Sequence, residues 1–160
     1  RGLGDVYKRQ VPYDSKYDQD LEKFTIAEAE SAFALLPFAA LEDLAPGEYP
    51  VVVLHQQHPV GFMRLNQNDE GASLAQNSNA VLVKSFSITE RMQGQGLAQA
   101  ALAQLPDYVR THFPNTDEIV LSVNFKNPKA IHVYQKLGYI DTKRILEGPA
   151  GPQHVMSYQF

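Results

Sequence analysis

The chain has 160 residues, of which 44% are hydrophobic and 20% are charged, and these values predict one ordinary folded domain with its own core. Its formal net charge of −4 and its lack of a basic run argue against a nucleic-acid partner, because such binding depends mainly on neutralising phosphates. The chain contains no cysteine, which excludes disulfides, thiolate metal sites and a cysteine nucleophile and is typical of a cytoplasmic protein.

The N-terminal end resembles translated adapter sequence. Residues 1–10 begin without methionine and are expected to be non-native, so the single predicted domain covers residues 11–160. This end also lacks the charged and then apolar order of a signal peptide. No apolar run approaches the roughly 20 residues that span a bilayer, so no membrane partner is predicted.

The first half of the chain predicts helices followed by a hairpin. Apolar residues recur at helical spacing over residues 18–44, and Pro37 is expected to divide this segment into two helices. Two β-rich runs, residues 51–54 and 60–65, flank a short polar turn and therefore predict a hairpin. Residues 66–79 are polar and rich in Asn, and they are interpreted as a surface loop.

In the second half, strand and helix patterns alternate. Pro106 lies inside one helical pattern, where it predicts either a kink or the end of one helix and the start of another. The predicted strands are residues 80–88, 118–125, 139–145 and 154–160, and the predicted helices are residues 96–113 and 127–137. This order predicts an α/β (α+β) fold, in which helices cover a mixed sheet.

A glycine-rich turn follows the strand at residues 80–88 and leads directly into a helix. It reads Gln93-Gly94-Gln95-Gly96-Leu97-Ala98. Glycines allow a sharp turn and a close approach to a ligand, and the first amides of a helix attract anions. A P-loop would need Gly-Lys-Ser or Gly-Lys-Thr here, and a dinucleotide-binding turn would need a third glycine at Gln99. Both of these patterns fail.

Two motifs together resemble the GNAT superfamily of N-acetyltransferases. Gln93, Gly96 and Ala98 match the Gln/Arg-x-x-Gly-x-Gly/Ala pattern of its acetyl-CoA pyrophosphate loop. Downstream, Asn127 begins a predicted helix that carries Tyr134 and ends at Gly138-Tyr139, as in that superfamily. The resemblance extends from about residue 51 to the C-terminus. It implies a GNAT-like, mostly antiparallel twisted sheet flanked by helices, and acetyl-CoA as the acyl donor.

The resemblance also implies a set of donor-binding residues. The backbone of the third strand would bind pantetheine, and the loop amides would bind the pyrophosphate. Arg91 is interpreted either as a phosphate ligand or as an exposed arginine, and Asn127 either as a donor contact or as a helix cap. Lys126 and Lys129 are weaker candidates for the ribose phosphate. The full predicted set is Phe86, Ser87, Ile88, Arg91, Gln93, Gly94, Gln95, Gly96, Leu97, Ala98, Asn127 and Tyr134.

Tyr134 is the principal predicted catalytic residue. The resemblance places its hydroxyl near the thioester sulfur, where it could protonate the departing thiolate. The general base is not identified, because Lys84, Ser85, Phe86 and Ser87 include no carboxylate. Asn124, together with Ser122, is predicted to orient a water for deprotonation, and the alternatives are Glu28, Glu30 and Glu42. Without cysteine, direct attack by the amine in a ternary complex is the expected mechanism.

The acceptor is predicted to be the primary amine of a small molecule. Its site is expected to include residues 24–44, with Phe33, Leu36, Pro37 and Phe38, and the turn near Gly148. A polyamine, an aminoglycoside and a protein N-terminus all stay open, as does a homodimer. The alternative function is an acyl-CoA-binding sensor or partner module without turnover. His55 and His58 lack the spacing of a zinc site, and no metal is predicted.

Overall fold

A seven-stranded sheet organises the protein, in a computed structural model that describes residues 8–26 and 35–160. The strands are β1 (Lys8–Pro12), β2 (Glu48–His55), β3 (His58–Asn66), β4 (Ala80–Ile88), β5 (Glu118–Asn124), β6 (Ile140–Gly148) and β7 (Gly151–Gln159). The helices are α1 (Asp18–Leu21), α2 (Pro37–Glu42), α3 (Asp69–Ala75), α4 (Leu97–His112) and α5 (Pro128–Lys136). Short 3-10 turns at Ser15–Tyr17 and Glu90–Met92 precede α1 and α4.

The sheet is antiparallel except at its centre. The strand order is β1-β2-β3-β4-β5-β7-β6, and β4 pairs with β5 in parallel. Parallel neighbours need a crossover connection, and α4 supplies it here. The predicted α/β (α+β) fold with a mostly antiparallel sheet is therefore confirmed.

The two faces of the sheet carry different layers. On the first face, α4 and α5 cover the largest core cluster, which includes Met63, Leu105, Leu121 and Met156. On the second face, α1 and α2 cover Phe62 and its neighbours, and α3 packs over Leu82 and Val120. Successive strand residues alternate between these faces, which explains why the apolar runs in β2 and β3 are buried on both sides.

The predicted loop at residues 66–79 is wrong, because it contains α3. The side chain of Asn68 caps this helix by accepting a hydrogen bond from the Glu70 amide, and Asp69 and Glu70 occupy its first turn. Gln76 ends it in the left-handed conformation with a φ of 56°. The polar residues that indicated a loop are therefore the caps of a short helix.

The helical pattern at residues 18–44 is only partly realised. α1 ends at Leu21, and two further turns bring Phe24 into the core beside Leu21. The Thr25 amide then bonds to Thr89 Oγ1 at 3.2 Å, and the Glu90 amide bonds to the Thr25 carbonyl at 2.9 Å, so this segment docks at the end of β4. Pro37 begins α2, as its fixed φ favours.

Pro106 does not divide the helix that contains it. α4 continues from Leu97 to His112 with Pro106 buried inside it, so the interpretation of two successive helices is wrong. Leu97, Ala101, Leu105 and Val109 form its buried stripe, as the periodicity predicts. Tertiary burial of this stripe outweighs the local cost of one proline.

Candidate active site

A gap opens in the middle of the sheet, between β4 and β5. The two strands pair only from Ala80 to Leu82, opposite Glu118 to Val120. Beyond Leu82, β4 continues to Ile88 while pairing with β3 alone, so its other edge is free toward β5. A cavity of about 310 Å³ occupies this gap. Its lining includes Ser85 and Phe86 of β4, Ser122 and Asn124 of β5, Tyr134 of α5 and Ala150 of the β6–β7 turn.

A β-bulge lies where β4 turns away from β5. Ser85 and Phe86 together stand opposite Met63, since the pairing shifts between Phe62↔Ser87 and Arg64↔Lys84. Ser85 has a φ of 56°, the left-handed conformation that non-glycine residues seldom adopt. Bulges bend a strand and redirect its backbone groups. This bulge therefore sets the direction of the free edge from Phe86 to Ile88.

Buried charges surround the bulge on the second face. Glu48 lies 2.7 Å from Lys84 Nζ and 3.4 Å from Arg64 Nη1, and it accepts a hydrogen bond from Asn66. Burial acts to raise the pKa of Glu48, but the hydrogen bonds from Lys84 and Asn66 outweigh it and lower that pKa to about 2. Lys84 also pairs with Glu70 of α3, and the pKa of Lys84 is raised because these partners outweigh its burial. The charges are thus mutually compensated.

The predicted phosphate loop follows β4 and leads into α4. Gly94 and Gly96 have φ values of 80° and 75°, and a Cβ atom at either would meet no atom within 4 Å. The amides of Gly94, Gln95 and Gly96 have no acceptor among the described residues, and no side chain caps α4. The Gln93 side chain donates a hydrogen bond to the Ile88 carbonyl at 2.9 Å. The loop therefore presents free amides at a helix N-terminus, directly after the free strand edge.

The cationic candidates near this loop are exposed. Arg91 lies in the 3-10 turn between β4 and the loop, with no partner among the described residues. Lys126 lies in the turn after β5 and Lys129 lies in the first turn of α5, and both are exposed. These positions are compatible with phosphate contacts, which stay a prediction.

Tyr134 reaches the gap from α5. Its side chain lines the cavity and packs against Tyr139, with ring centroids 5.6 Å apart. Its hydroxyl makes no hydrogen bond to the described residues, whereas its backbone carbonyl accepts from the Leu137 and Tyr139 amides. Burial raises the pKa of the hydroxyl to about 12. At neutral pH it is therefore a proton donor and not a base.

The two asparagines of the predicted site have structural partners. Asn127 caps α5 by accepting a hydrogen bond from the Ala130 amide at 3.2 Å, so its capping role is observed, and it also lines the cavity. Asn124 donates to the Ala150 carbonyl at 3.0 Å and accepts from the Lys126 amide at 2.8 Å. These bonds attach the β6–β7 turn to the end of β5. A catalytic role for Asn124 stays a prediction, as does one for its cavity neighbour Ser122.

The predicted acceptor wall is only partly described. Phe33, Glu28 and Glu30 lie outside the described residues. Within the described part, Pro37 is buried and Leu36 is exposed, while Pro149 and Ala150 of the turn near Gly148 line the cavity. Glu42 is exposed on α2 and is not among the residues lining the cavity.

Sequence reasoning missed the bulge and the arginine beside it. Ser85 accepts hydrogen bonds from Arg64 Nε at 3.1 Å and from Arg64 Nη2 at 2.8 Å. The available signal was that polar or charged residues interrupt two otherwise apolar strands. Arg64 and Asn66 are two positions apart on one strand, and Lys84 lies on the next. Such residues on a buried face indicate a compensated polar cluster.

Comparisons with known proteins identify the class that this fold and gap define. A model of the acetyltransferase (GNAT) family matches residues 12–139. The chain is also 36% identical over 149 residues to the uncharacterized N-acetyltransferase YbbJ of Bacillus subtilis (strain 168), covering 91% of this chain and 93% of that protein. The chain belongs to the GNAT family, and the prediction of an N-acetyltransferase is confirmed.

Solved structures share the fold at low sequence identity. A dodecameric spermidine N-acetyltransferase from Vibrio cholerae matches with a TM-score of 0.65 and 20% identity, over 97% of this chain and 95% of that one. The AAC(6')-Ib structure in complex with ribostamycin and coenzyme A matches with a TM-score of 0.75 and 14% identity, over 95% of this chain and 93% of that one. These similarities establish the architecture.

The described residues contain neither a candidate metal site nor a membrane-spanning helix. Across residues 8–26 and 35–160, no three His, Asp or Glu side chains cluster closely enough to hold a metal ion. Within the same ranges, no helix has the length and apolar content needed to cross a bilayer.

Proposed function

We propose that this acetyltransferase moves the acetyl group of acetyl-CoA to the primary amine of a small molecule, by direct attack in a ternary complex. One observation carries the proposal: a free strand edge on β4 faces Tyr134 across the gap, and free loop amides follow directly at the start of α4. A strand edge suits an extended amide chain, and helix-start amides suit a pyrophosphate.

The residues present fit the donor. The edge from Phe86 to Ile88 would pair with the pantetheine amides, and Gly94 to Ala98 would bind the pyrophosphate. Open space in front of Gly94 and Gly96 allows a close approach to their backbone. The bound donor supplies an activated acetyl thioester. A backbone amide of the β4 edge would hydrogen-bond its carbonyl oxygen and stabilise negative charge there.

Transfer requires one proton to leave the amine and one to meet the sulfur. The amine nitrogen forms a bond to the acetyl carbon, and the carbon–sulfur bond breaks. Tyr134 would stabilise the departing thiolate by donating a hydrogen bond to it, and the sulfur would take its proton from solvent. Asn124 and Ser122 would hold a water that takes the amine proton and passes it to solvent. Proximity in the gap supplies much of the rate.

The acceptor is expected to be a cationic small molecule. Four acidic side chains, those of Asp18, Glu22, Glu42 and Glu90, are exposed or half-buried on or beside α1, α2 and the end of β4. Such charges raise the local concentration of cations. Of the proteins with similar folds named above, one is a spermidine N-acetyltransferase and the other is bound to ribostamycin. The homodimer stays a prediction.

A thiol-release assay tests this proposal. Acetyl-CoA would be mixed with the protein and, separately, with a polyamine, an aminoglycoside, a simple alkylamine and a peptide with a free N-terminus. We expect free thiol to appear only with an accepted amine, and the acetylated amine to appear in equal amount by mass spectrometry. Tight coenzyme A binding with no amine-dependent release would instead support the module without turnover.

A further inference from the structure

The conformation of Ser85 needs an explanation. Among the described non-glycine residues with positive φ, Gln56 and Gln57 form the β2–β3 turn, Gln76 ends α3, and Lys143 lies exposed at an irregularity of the edge strand β6. Ser85, with a φ of 56°, instead lies within β4, between residues that pair with β3. A left-handed residue costs about 1–2 kcal/mol relative to the ordinary strand conformation. Such strain persists only where neighbouring groups hold it.

Arg64 supplies the holding contact. Its Nε and Nη2 atoms both donate to Ser85 Oγ, at 3.1 Å and 2.8 Å. Hydrogen bonds from a charged donor are among the stronger ones in proteins. Arg64 is only 4% exposed, so water does not compete well for these bonds. The guanidinium is thus hydrogen-bonded to the Ser85 side chain where β4 separates from β5.

The guanidinium is itself held in place. Its Nη1 atom lies 3.2 Å from Asp43 Oδ2 and 3.4 Å from Glu48 Oε1. Glu48 also binds Lys84, the residue before Ser85. On the other side of the bulge, β3 and β4 are in close contact, because a Cβ on Gly61 would meet Ile88 Cδ1 at 2.7 Å and the Ser87 carbonyl at 3.1 Å. The bulge is therefore fixed from both ends.

We propose that Arg64 is a positioning residue for the donor site: it holds Ser85 in the left-handed conformation and so fixes the β4 edge that binds the donor. This inference rests on the proposed function, because the direction of the edge matters to activity only if a donor binds there. Arg64 does not touch the donor in this arrangement. It acts through the backbone of Ser85 and Phe86.

Three single variants test the proposal. Arg64→Lys keeps a charge beside Glu48 and Asp43 but cannot donate two forked hydrogen bonds to Ser85. Ser85→Ala removes the acceptor and leaves the buried charges intact. Asp43→Asn is the matched control, because it weakens a different contact of Arg64 and leaves Ser85 unchanged. The Asp43 side chain is 70% exposed.

Two measurements are made on each purified full chain. Hydrogen–deuterium exchange of the peptide covering residues 81–88, without ligand, reports on the edge itself. Calorimetric titration with coenzyme A reports on donor binding, and thermal melting shows that each variant is folded. We expect Arg64→Lys and Ser85→Ala to exchange faster and to bind coenzyme A about five- to tenfold more weakly, from the loss of charge-assisted hydrogen bonds. Asp43→Asn should match the wild type in both.

A double variant adds a rescue. Glycine adopts positive φ without penalty, so in Ser85→Gly the backbone conformation no longer needs the hydrogen bonds from Arg64. In the Ser85→Gly background, Arg64→Lys should weaken coenzyme A binding less than twofold. The effect of Arg64→Lys would then depend on the residue at position 85, which would not be the case if the arginine were purely structural.

The possible failures are separable. Wild-type affinity and exchange in both Arg64→Lys and Ser85→Ala would overturn the inference. Equal losses in Asp43→Asn would overturn it too, because they would indicate general destabilisation. A wild-type protein that does not bind coenzyme A would contradict the proposed function instead.

Discussion

Burial determines what Tyr134 can do at the residue scale. A pKa raised to about 12 keeps the hydroxyl protonated at any physiological pH. An alkyl thiol has a pKa of about 8.5, well below the pKa of this tyrosine. Complete transfer of the Tyr134 proton to a thiolate is therefore unfavourable. Tyr134 is therefore expected to stabilise the departing sulfur mainly by a hydrogen bond. A lysine at this position would donate a hydrogen bond but carry a charge, and a carboxylate could not donate. The tyrosine hydroxyl donates while it stays neutral.

Replacing Tyr134 with phenylalanine should affect turnover more than binding. The ring would still line the cavity, so coenzyme A affinity should change less than about threefold, while kcat should fall about a hundredfold from the loss of the hydrogen bond to the departing sulfur. Steady-state kinetics with saturating acetyl-CoA and calorimetry with coenzyme A measure the two effects. Tyr139→Phe is the matched control, because it removes a neighbouring buried hydroxyl that has no hydrogen-bond partner.

Unchanged kcat in Tyr134→Phe would remove this residue from the mechanism. An equal loss of kcat in Tyr139→Phe would indicate that packing between Tyr134 and Tyr139, rather than hydrogen-bond donation by Tyr134, supports turnover. The kcat of the wild type should also show no decline from Tyr134 ionisation below about pH 10, given its raised pKa.

At the scale of elements, the turn between β4 and α4 is the part of the candidate site whose backbone geometry the sequence predicts best. Both of its glycines have positive φ, which is the property that made them informative. Gln93 fixes the turn to the end of β4 through the Ile88 carbonyl. The strand edge, the turn and the helix start therefore follow one another in the chain, and the amides of residues 94–96 have no acceptor among the described residues.

A charge placed in this turn should abolish donor binding. In Gly96→Glu the carboxylate would repel the pyrophosphate and lie over its amides, and we expect at least a hundredfold weaker coenzyme A binding by calorimetry. The new Cβ meets no atom within 4 Å, so the protein should fold, at a backbone cost of about 1–2 kcal/mol. Gly96→Gln carries the same backbone cost without the charge. If the glutamine variant bound coenzyme A as weakly as the glutamate variant, electrostatic repulsion would not be the cause.

Other elements show where sequence patterns mislead. α3 was missed because capping residues such as Asn68 and Asp69 have the same composition as a loop. The bulge was missed because serine gives no local signal of positive φ, and its conformation depends on Arg64, a residue 21 positions away. Motifs that act through local backbone were predictable, whereas features that act through a tertiary contact were not.

At the scale of the whole molecule, one charge cluster, with Glu48 and Arg64 buried at its centre, connects both halves of the second face. It joins Asp43 after α2, Glu48 of β2, Arg64 of β3, Lys84 of β4 and Glu70 of α3. The bulge of β4 is thereby linked to the helices on the second face. Sequence periodicity predicted the apolar layers but could not pair these charges, because pairing depends on strand register.

Acid should destabilise the protein through Glu48. Its folded pKa of about 2 lies below its ordinary value of 4.5, so the unfolded chain binds more protons and the free energy of unfolding falls as pH drops from about 4.5 toward 2. Glu48→Gln should lose about 2–4 kcal/mol at pH 7 and depend less on pH in that window. Urea unfolding at a series of pH values measures both.

Glu42→Gln is the control for this experiment, because Glu42 is an exposed carboxylate on α2. It should follow the wild-type curve. If Glu48→Gln and the wild type lost stability in parallel between pH 4.5 and 2, other carboxylates would be responsible for the acid sensitivity.

The short parallel pairing of β4 and β5 affects which substitutions the donor site tolerates. Since the strands separate after Leu82, the groups left available are mostly main-chain amides, which every residue except proline carries. Side chains along this edge can then vary in size and polarity without removing a donor, provided that the bulge and the glycine turn keep their shape. Proline at Gly94, Gln95 or Gly96 would delete an available donor directly. Tolerance to mutation in this region should therefore follow backbone geometry rather than side-chain chemistry.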